Sequence, residues 1–269
     1  MFRGKKTIRL VYRFCLVITL LAINFGVAHG WGPQGHRVIG YVAEFNLVPQ
    51  TKKIIAEEFN IKNLADVANW ADKVRKKSKH EKPWHYTNIK ENEWTYVVLR
   101  DCPDKNCVTE KIKEFSRALE RKETPLAKRK DALKYLVHFV GDIHEPLHLG
   151  NRKDRGGGKI RLDYLGRNVT LHYLWDGGLI DWEKESLLKY ATHLNDKLVG
   201  SEKSKWLDAH VDDWANESRS LALKYAYPLG SDGLSKVYIM RGRKILDQRM
   251  VQAGLRLAEL LNRILKTKK

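Results

Sequence analysis

Five histidines and three aspartates of this chain stand at spacings, and in surroundings, that suit metal coordination better than solvation. The densest run is Leu136-Val137-His138-Phe139-Val140-Gly141-Asp142-Ile143-His144-Glu145-Pro146-Leu147-His148. At about 100° per residue, Leu133, Leu136, Val137 and Val140 form one apolar stripe, while His138 and Asp142 share the opposite side with Tyr135 and Phe139. Both faces are therefore expected to be buried. A buried carboxylate one turn from a buried imidazole is costly unless the pair coordinates a cation or closes a hydrogen-bonded network. Pro146 ends the helix and carries His148 away from its axis. Farther along, His172 and Asp176 lie four apart, one above the other if helical, a spacing that also arises by chance. Nitrogen and carboxylate ligands without thiolates suit catalytic zinc, which keeps coordination positions open.

The segments that must position these groups read as helices. Trp31-Gly32-Pro33-Gln34-Gly35-His36 leads into an amphipathic run through Val38, Tyr41, Val42 and Phe45. With a chain cut before Trp31, its amine and carbonyl become a chelating pair close to His36. Otherwise Trp31 is a core anchor and His36 a hydrogen-bonding residue at a helix start. Pro49 to Phe59 is a short helix, and Leu64 to about Lys77 is read as one continuous helix. On that helix Leu64, Val67, Ala71 and Val74 fall within about 80°, with Arg75 inside the sector and Asp72 at its edge. A carboxylate and a guanidinium thus point inward, functional or simply a buried salt bridge. His85 follows in the aromatic Pro83-Trp84-His85-Tyr86, where a hydrogen-bonded core histidine is the competing reading. Trp94 to Leu99 suggests a strand fragment. Thr124-Pro125, an N-cap followed by proline at the first helical position, opens the helix that carries His138. Gly150 to Gly158 is loop, Lys159 to Val169 a small hairpin turning at Gly166, and Glu183 to Val199, Trp206 to Tyr227 and Ser235 to about Leu265 are amphipathic helices.

Residues 1–30 read as a secretory signal outside the fold. Arg3, Lys5, Lys6, Arg9 and Arg13 precede an apolar run from Phe14 to Val27, and Ala28-His29-Gly30 offers a small-x-small cleavage site. The apolar run is shorter than the ~20 residues of a span, and no second span follows. Removing these thirty residues takes away five basic groups and no acidic ones, lowering the formal charge from +18 to +13. Such a charge attracts polyanions or serves only solubility. Cys102 and Cys107 remain, five apart, and are expected to pair in an oxidising compartment, two free thiols being the alternative.

Jointly, these motifs resemble the single-strand-specific trinuclear zinc nucleases of fungi and plants, the S-one/P-one type, which are distantly related to zinc phospholipase C. The resemblance rests on WGxxGH at Trp31, WADxxR at Trp70, HY at His85, the Cys102/Cys107 spacing, LVHFxGDIHxPLH at Leu136 and LHxxWD at Leu171. It runs from Trp31 to Ala258 and implies an all-α single domain over 31–269, with one or two short β-hairpins. Carried over by position, Asp72, His85, His138 and Asp142 would hold one zinc ion, and His148, His172 and Asp176 a second. The amine and carbonyl of Trp31, with His36 and a shared Asp142, would hold the third.

The resemblance further implies a secreted or periplasmic hydrolase of single-stranded DNA and RNA that leaves 5′-phosphate ends, with 3′-nucleotidase activity on nucleotides as an extension. Arg75 would stabilise phosphoryl charge and Tyr86 would stack on an unpaired base. Asn88 stands where many relatives carry Asp, so it is a water-orienting candidate rather than a base. Gly158 replaces the usual Asn of a GGN turn. No stable protein partner is implied. Two rivals stay open: a zinc phospholipase C built on the same cage, and a basic helical protein that binds nucleic acid and uses zinc only structurally.

Overall fold

The computed structural model describes residues 31–197, 200–207, 210–230 and 233–266. The segment read as an export signal lies outside the described residues. Twelve α-helices and one hairpin are built by the described chain. The first half comprises α1 (Pro33–Asn46), α2 (Pro49–Phe59), α3 (Leu64–Val67), α4 (Trp70–Lys77), α5 (Val98–Asp101), α6 (Val108–Glu120) and α7 (Leu126–His144). Two 3-10 turns, Lys79–His85 and Pro146–Leu149, flank the chemistry. After β1 (Arg161–Tyr164) and β2 (Arg167–Thr170) come α8 (Leu171–Tyr173), α9 (Leu187–Asp196), α10 (Gly200–Leu207), α11 (Val211–Leu221) and α12 (Lys236–Ile264). This is the all-α fold expected from the sequence, with a single two-stranded sheet among the described residues.

The central element is α7, which packs against α6, α12, α11 and α4. Every residue from Tyr135 to His144 is buried, apolar stripe and polar side alike. Two apolar clusters surround it. One gathers Phe59, Ile112, Leu133, Phe139 and Leu261, and the other Trp31, Val38, Leu147, Trp175 and Leu246. Helices α1 and α12 contribute to both. The candidate residues come from segments of both clusters, which puts their meeting point at the seam.

Polar groups at the end of α7 are locked from behind. Arg249 and Arg256 of α12 are fully buried and converge on Glu217 of α11, at 2.7 and 2.6 Å. Arg256 also donates to His144 Nε2 at 2.9 Å, while His144 Nδ1 meets the Val140 carbonyl at 2.7 Å. Burial, then the charges of Arg249 and Arg256, hold this imidazole well below its ordinary pKa of 6.5. His144 is therefore a neutral hydrogen-bonding strut.

Some expectations need correction. Leu64 to Lys77 is two helices, broken at Ala68-Asn69, where Asn69 takes φ −103° and ψ 13°. The Ala68 carbonyl is engaged by His138 Nδ1 at 2.7 Å, and Asn69 Nδ2 donates to Pro33 O. Tertiary bonds there outweigh continuation of the helix. Trp94 to Leu99 is no strand. The Tyr96 N–H goes to Asn216 Oδ1 and the Val97 N–H to Asp101 Oδ2, and Val98 begins a helical turn. Pro125 itself, with φ −52° and ψ 139°, is the N-cap of α7, one residue later than expected. The long segment from Trp206 divides into α10 and α11, and a π turn, Ala222–Ala226, completes the latter. The hairpin stands as expected: Tyr164 pairs with Arg167, and Leu165 and Gly166 both take positive φ, the two-residue turn that matches strand twist. Cys102 and Cys107 are disulfide-bonded.

Candidate metal centre

Four segments deliver side chains to one buried locus. Helix α7 supplies His138 and Asp142, whose Nε2 and Oδ2 lie 3.3 Å apart across one turn. The 3-10 turn ending at His85 brings that ring in from the side, with Nδ1 3.0 Å from Asp142 Oδ2 and 3.1 Å from His138 Nε2. Asp72 enters from α4, with Oδ1 3.8 Å from His138 Nε2 and 3.9 Å from His85 Nδ1. From α1, the His36 ring stacks on His138 at 3.8 Å and presents Nε2 3.4 Å from Asp142 Oδ1.

A second group adjoins the first. The turn after Pro146 aims His148 Nε2 at Asp176 Oδ1, 3.7 Å away, while its Nδ1 stays 3.6 Å from Asp142 Oδ1. His172 Nε2 is 3.4 Å from Asp176 Oδ2, as the spacing of four predicts. Three sets thus have ligand atoms mutually within 4.8 Å: Asp72, His85 and His138; His36, His138 and Asp142; and Glu145, His148, His172 and Asp176. Trp31 is fully buried beside them. Its indole donates to the Gly141 carbonyl at 2.8 Å, and the next N–H, of Gly32, donates to the Asp176 carbonyl at 2.6 Å.

Backbone carbonyls orient the imidazoles. The Nδ1 atoms of His138, His148 and His172 meet the carbonyls of Ala68, His85 and Gly156 at 2.7, 2.6 and 2.7 Å. Each Nε2 is thereby turned toward the ligand cluster, the outer support that metal-binding histidines require. Both ring nitrogens of His36, with Asp142 Oδ1, Glu145 Oε1, His148 Nε2 and Asp176 Oδ1, are buried without a hydrogen bond. Orphaned polar atoms cost about 1–3 kcal/mol each in a dry interior. Most of these gather at one locus and fit a cation cage, while His36 Nδ1 lies against Gly141.

Electrostatics agree. Burial opposes the Asp142 charge, but His138 and His148 outweigh it and hold that carboxyl well below its usual range. Asp72 is likewise lowered, burial being overcome by His138 and Arg75. Burial lowers His85 to about 4, while His148 is pushed up to about 10 because Asp142, Asp176 and Glu145 overcome its burial. Burial, then the nearby Asp176, raises Glu145 to about 8. At Glu145 burial and a neighbouring carboxylate outweigh the positive charge nearby, a condition that a bound cation relieves.

Of the other candidates, Arg75 touches a ligand of the cage, and Tyr86 and Asn88 lie on a cleft whose lining includes none of the ligands. Arg75 is nearly buried and holds Asp72 at 2.8 Å. Tyr86 and Asn88 line a cleft of about 330 Å³ whose wall includes Pro83, Arg100, Cys102 and Arg152. Gly158 lies in the turn region before His172, and nothing in the structure explains that residue. Glu145 was not singled out by sequence reasoning, because a Glu just past a helix end reads as solvated. The Pro146-Leu147-His148 that follows it was the signal available.

Comparison with known proteins decides the family. The S1/P1 Nuclease profile matches residues 31–266, nearly all of the described chain. The chain belongs to the S1/P1 nuclease family. Among its relatives, Endonuclease 4 of Arabidopsis thaliana is 32% identical over 94% of this chain and 94% of its own length. Endonuclease 2 of the same plant is 30% identical over 88% and 91%, and Nuclease S1 of Aspergillus oryzae 27% over 88% and 93%. Membership makes this S1/P1-type chain a nuclease, a hydrolase acting on nucleic acid. None of the described helices is long and apolar enough to cross a membrane.

Proposed function

We propose that this nuclease is an exported zinc enzyme that cleaves phosphodiester bonds of single-stranded DNA and RNA, leaves 5′-phosphate ends, and also removes 3′-phosphates from nucleotides. One observation carries the reading: His36, Asp72, His85, His138, Asp142, His148, His172 and Asp176 converge from separate segments with buried ligand atoms left without hydrogen bonds. Three zinc ions would be held as the sequence motifs distribute them, with the amine and carbonyl of Trp31 joining His36 and Asp142 once cleavage after Gly30 frees the chain start. Bound zinc supplies Lewis acidity toward phosphoryl oxygens and makes water nucleophilic near neutral pH.

The protein's own groups do the rest. Asp72 fixes one arm of the Arg75 guanidinium, and the remaining donors of that planar fork are available to phosphoryl oxygens as charge builds on them. Tyr86, half-buried at the cleft, offers a face on which one unpaired base stacks. A duplex would first have to unstack, which favours single strands. Asn88 on the same cleft supplies an amide to orient water or a base edge, and cannot act as a base. The formal charge of +13 that remains once residues 1–30 are removed draws a polyanion toward the surface.

The test is digestion by the mature protein after chelation and after zinc is restored. Zinc-dependent loss of single-stranded DNA with 5′-phosphate termini, and release of phosphate from 3′-adenylate, is the expected result. Hydrolysis of phosphatidylcholine in place of DNA would move the chain to the phospholipase reading. Retention of DNA without cleavage would leave a binding protein with structural zinc.

A further inference from the structure

Glu145 has no part in the ligand scheme above, yet it is fully buried inside the centre. Its Oε2 accepts the His148 N–H at 2.8 Å, capping the turn that carries His148, so the side chain has one fixed orientation. Its Oε1 makes no hydrogen bond, and a carboxylate oxygen of Glu145 lies within 4.8 Å of ligand atoms of His148, His172 and Asp176. A second carboxylate, Asp176, shares that space, so the repulsion between them calls for positive charge. Arg249 acts on Glu145 only at longer range, and is itself tied to Glu217.

Resting on the metal-centre reading, we infer that Glu145 is a fourth protein ligand at the His148–His172–Asp176 position. That position then has two imidazoles and two carboxylates and is neutral with a divalent ion. It has one fewer open coordination place than a three-ligand site. Its donor set also leans toward oxygen, which favours harder divalent ions such as manganese relative to a site with one carboxylate. Glu145 thereby links two tasks: one oxygen sets the backbone of the turn, the other reaches the ion.

The test uses Glu145→Gln, which keeps a carbonyl oxygen for the His148 cap and removes the charge, alongside His172→Ala. Mature wild type and both variants are loaded with cobalt(II), and retention is measured against a competing chelator together with ligand-field absorption. E145Q is expected to hold its weakest ion ~10- to 100-fold less tightly and to change the cobalt spectrum. Retention and spectrum equal to wild type, with metal lost in H172A, would overturn the Glu145 assignment and leave the centre standing. Unchanged retention in both variants would instead bring down the centre itself. Should E145Q not fold, a crystal structure of zinc-loaded wild type decides. Glu145 Oε1 at about 2.0–2.2 Å from an ion supports the assignment, and a clearly longer separation overturns it.

Discussion

Gly141→Ala probes how tightly the helices must approach to assemble the centre. A methyl group at Gly141 would lie 2.9 Å from His36 Nδ1, 3.1 Å from its Cε1 and 3.2 Å from Ile39 Cδ1. Carbon contacts are comfortable from about 3.5 Å, so the His36 ring must retreat by roughly half an ångström. It has little freedom to do so, since it is stacked 3.8 Å from His138. Two terms then compete in stability. Alanine in place of a helix-interior glycine contributes about 1 kcal/mol, whereas overpacking costs about 1–3 kcal/mol. The metal-free protein should therefore lose only about 0–2 kcal/mol. Metal binding is less forgiving, because ligand distances tolerate only about 0.2 Å. The expected outcome is a modest fall in urea midpoint with a clear loss of zinc at the His36 position, read by elemental analysis. A metal-free protein stabilised by the full ~1 kcal/mol, with zinc content unchanged, would refute both the packing limit and the placement of His36 as a ligand.

Three further outcomes follow from the same geometry. Glu217→Gln leaves Arg249 and Arg256 buried without a counter-charge and should cost up to ~3 kcal/mol in urea unfolding, the partial exposure of Glu217 keeping it below the fully buried limit. His144, held well below 6.5, refuses a proton that the unfolded chain accepts. Stability should accordingly fall as pH drops below about 6.5, by up to ~1.4 kcal/mol per pH unit, and that slope should appear as the difference between metal-free wild type and His144→Gln. One extra residue before Trp31 blocks the amine and should lower bound zinc and cleavage of single-stranded DNA together. Full occupancy and full activity of the extended protein would remove Trp31 from the ligand set.

Much of this arrangement could be read in the sequence because burial and chemistry conflict there. His138 and Asp142 sit where an ordinary helix would show Lys or Glu, and Asp72 and Arg75 fall in an apolar sector. What could not be read depends on tertiary partners. The spacing of Leu64, Val67, Ala71 and Val74 runs unbroken across the Ala68-Asn69 break, since side-chain period is blind to a carbonyl claimed by His138. Trp94 to Leu99 has strand composition but no neighbouring strand, and Asn216 and Asp101 take its N–H groups instead. Glu145 is buried beside His172 and Asp176, which lie far along the chain and which local pattern does not bring near it. His144 and His148 differ in task, one facing Arg256 and the other Asp176, and only the turn at Pro146 separates them.

The three imidazoles held by the carbonyls of Ala68, His85 and Gly156 carry a consequence for mutagenesis. A peptide oxygen survives any side-chain replacement, so no scan of substitutions can erase these props one at a time. Damage would come from insertions, deletions or prolines that displace the main chain far from any ligand, and such lesions would surface as metal loss in a protein whose every coordinating residue is intact.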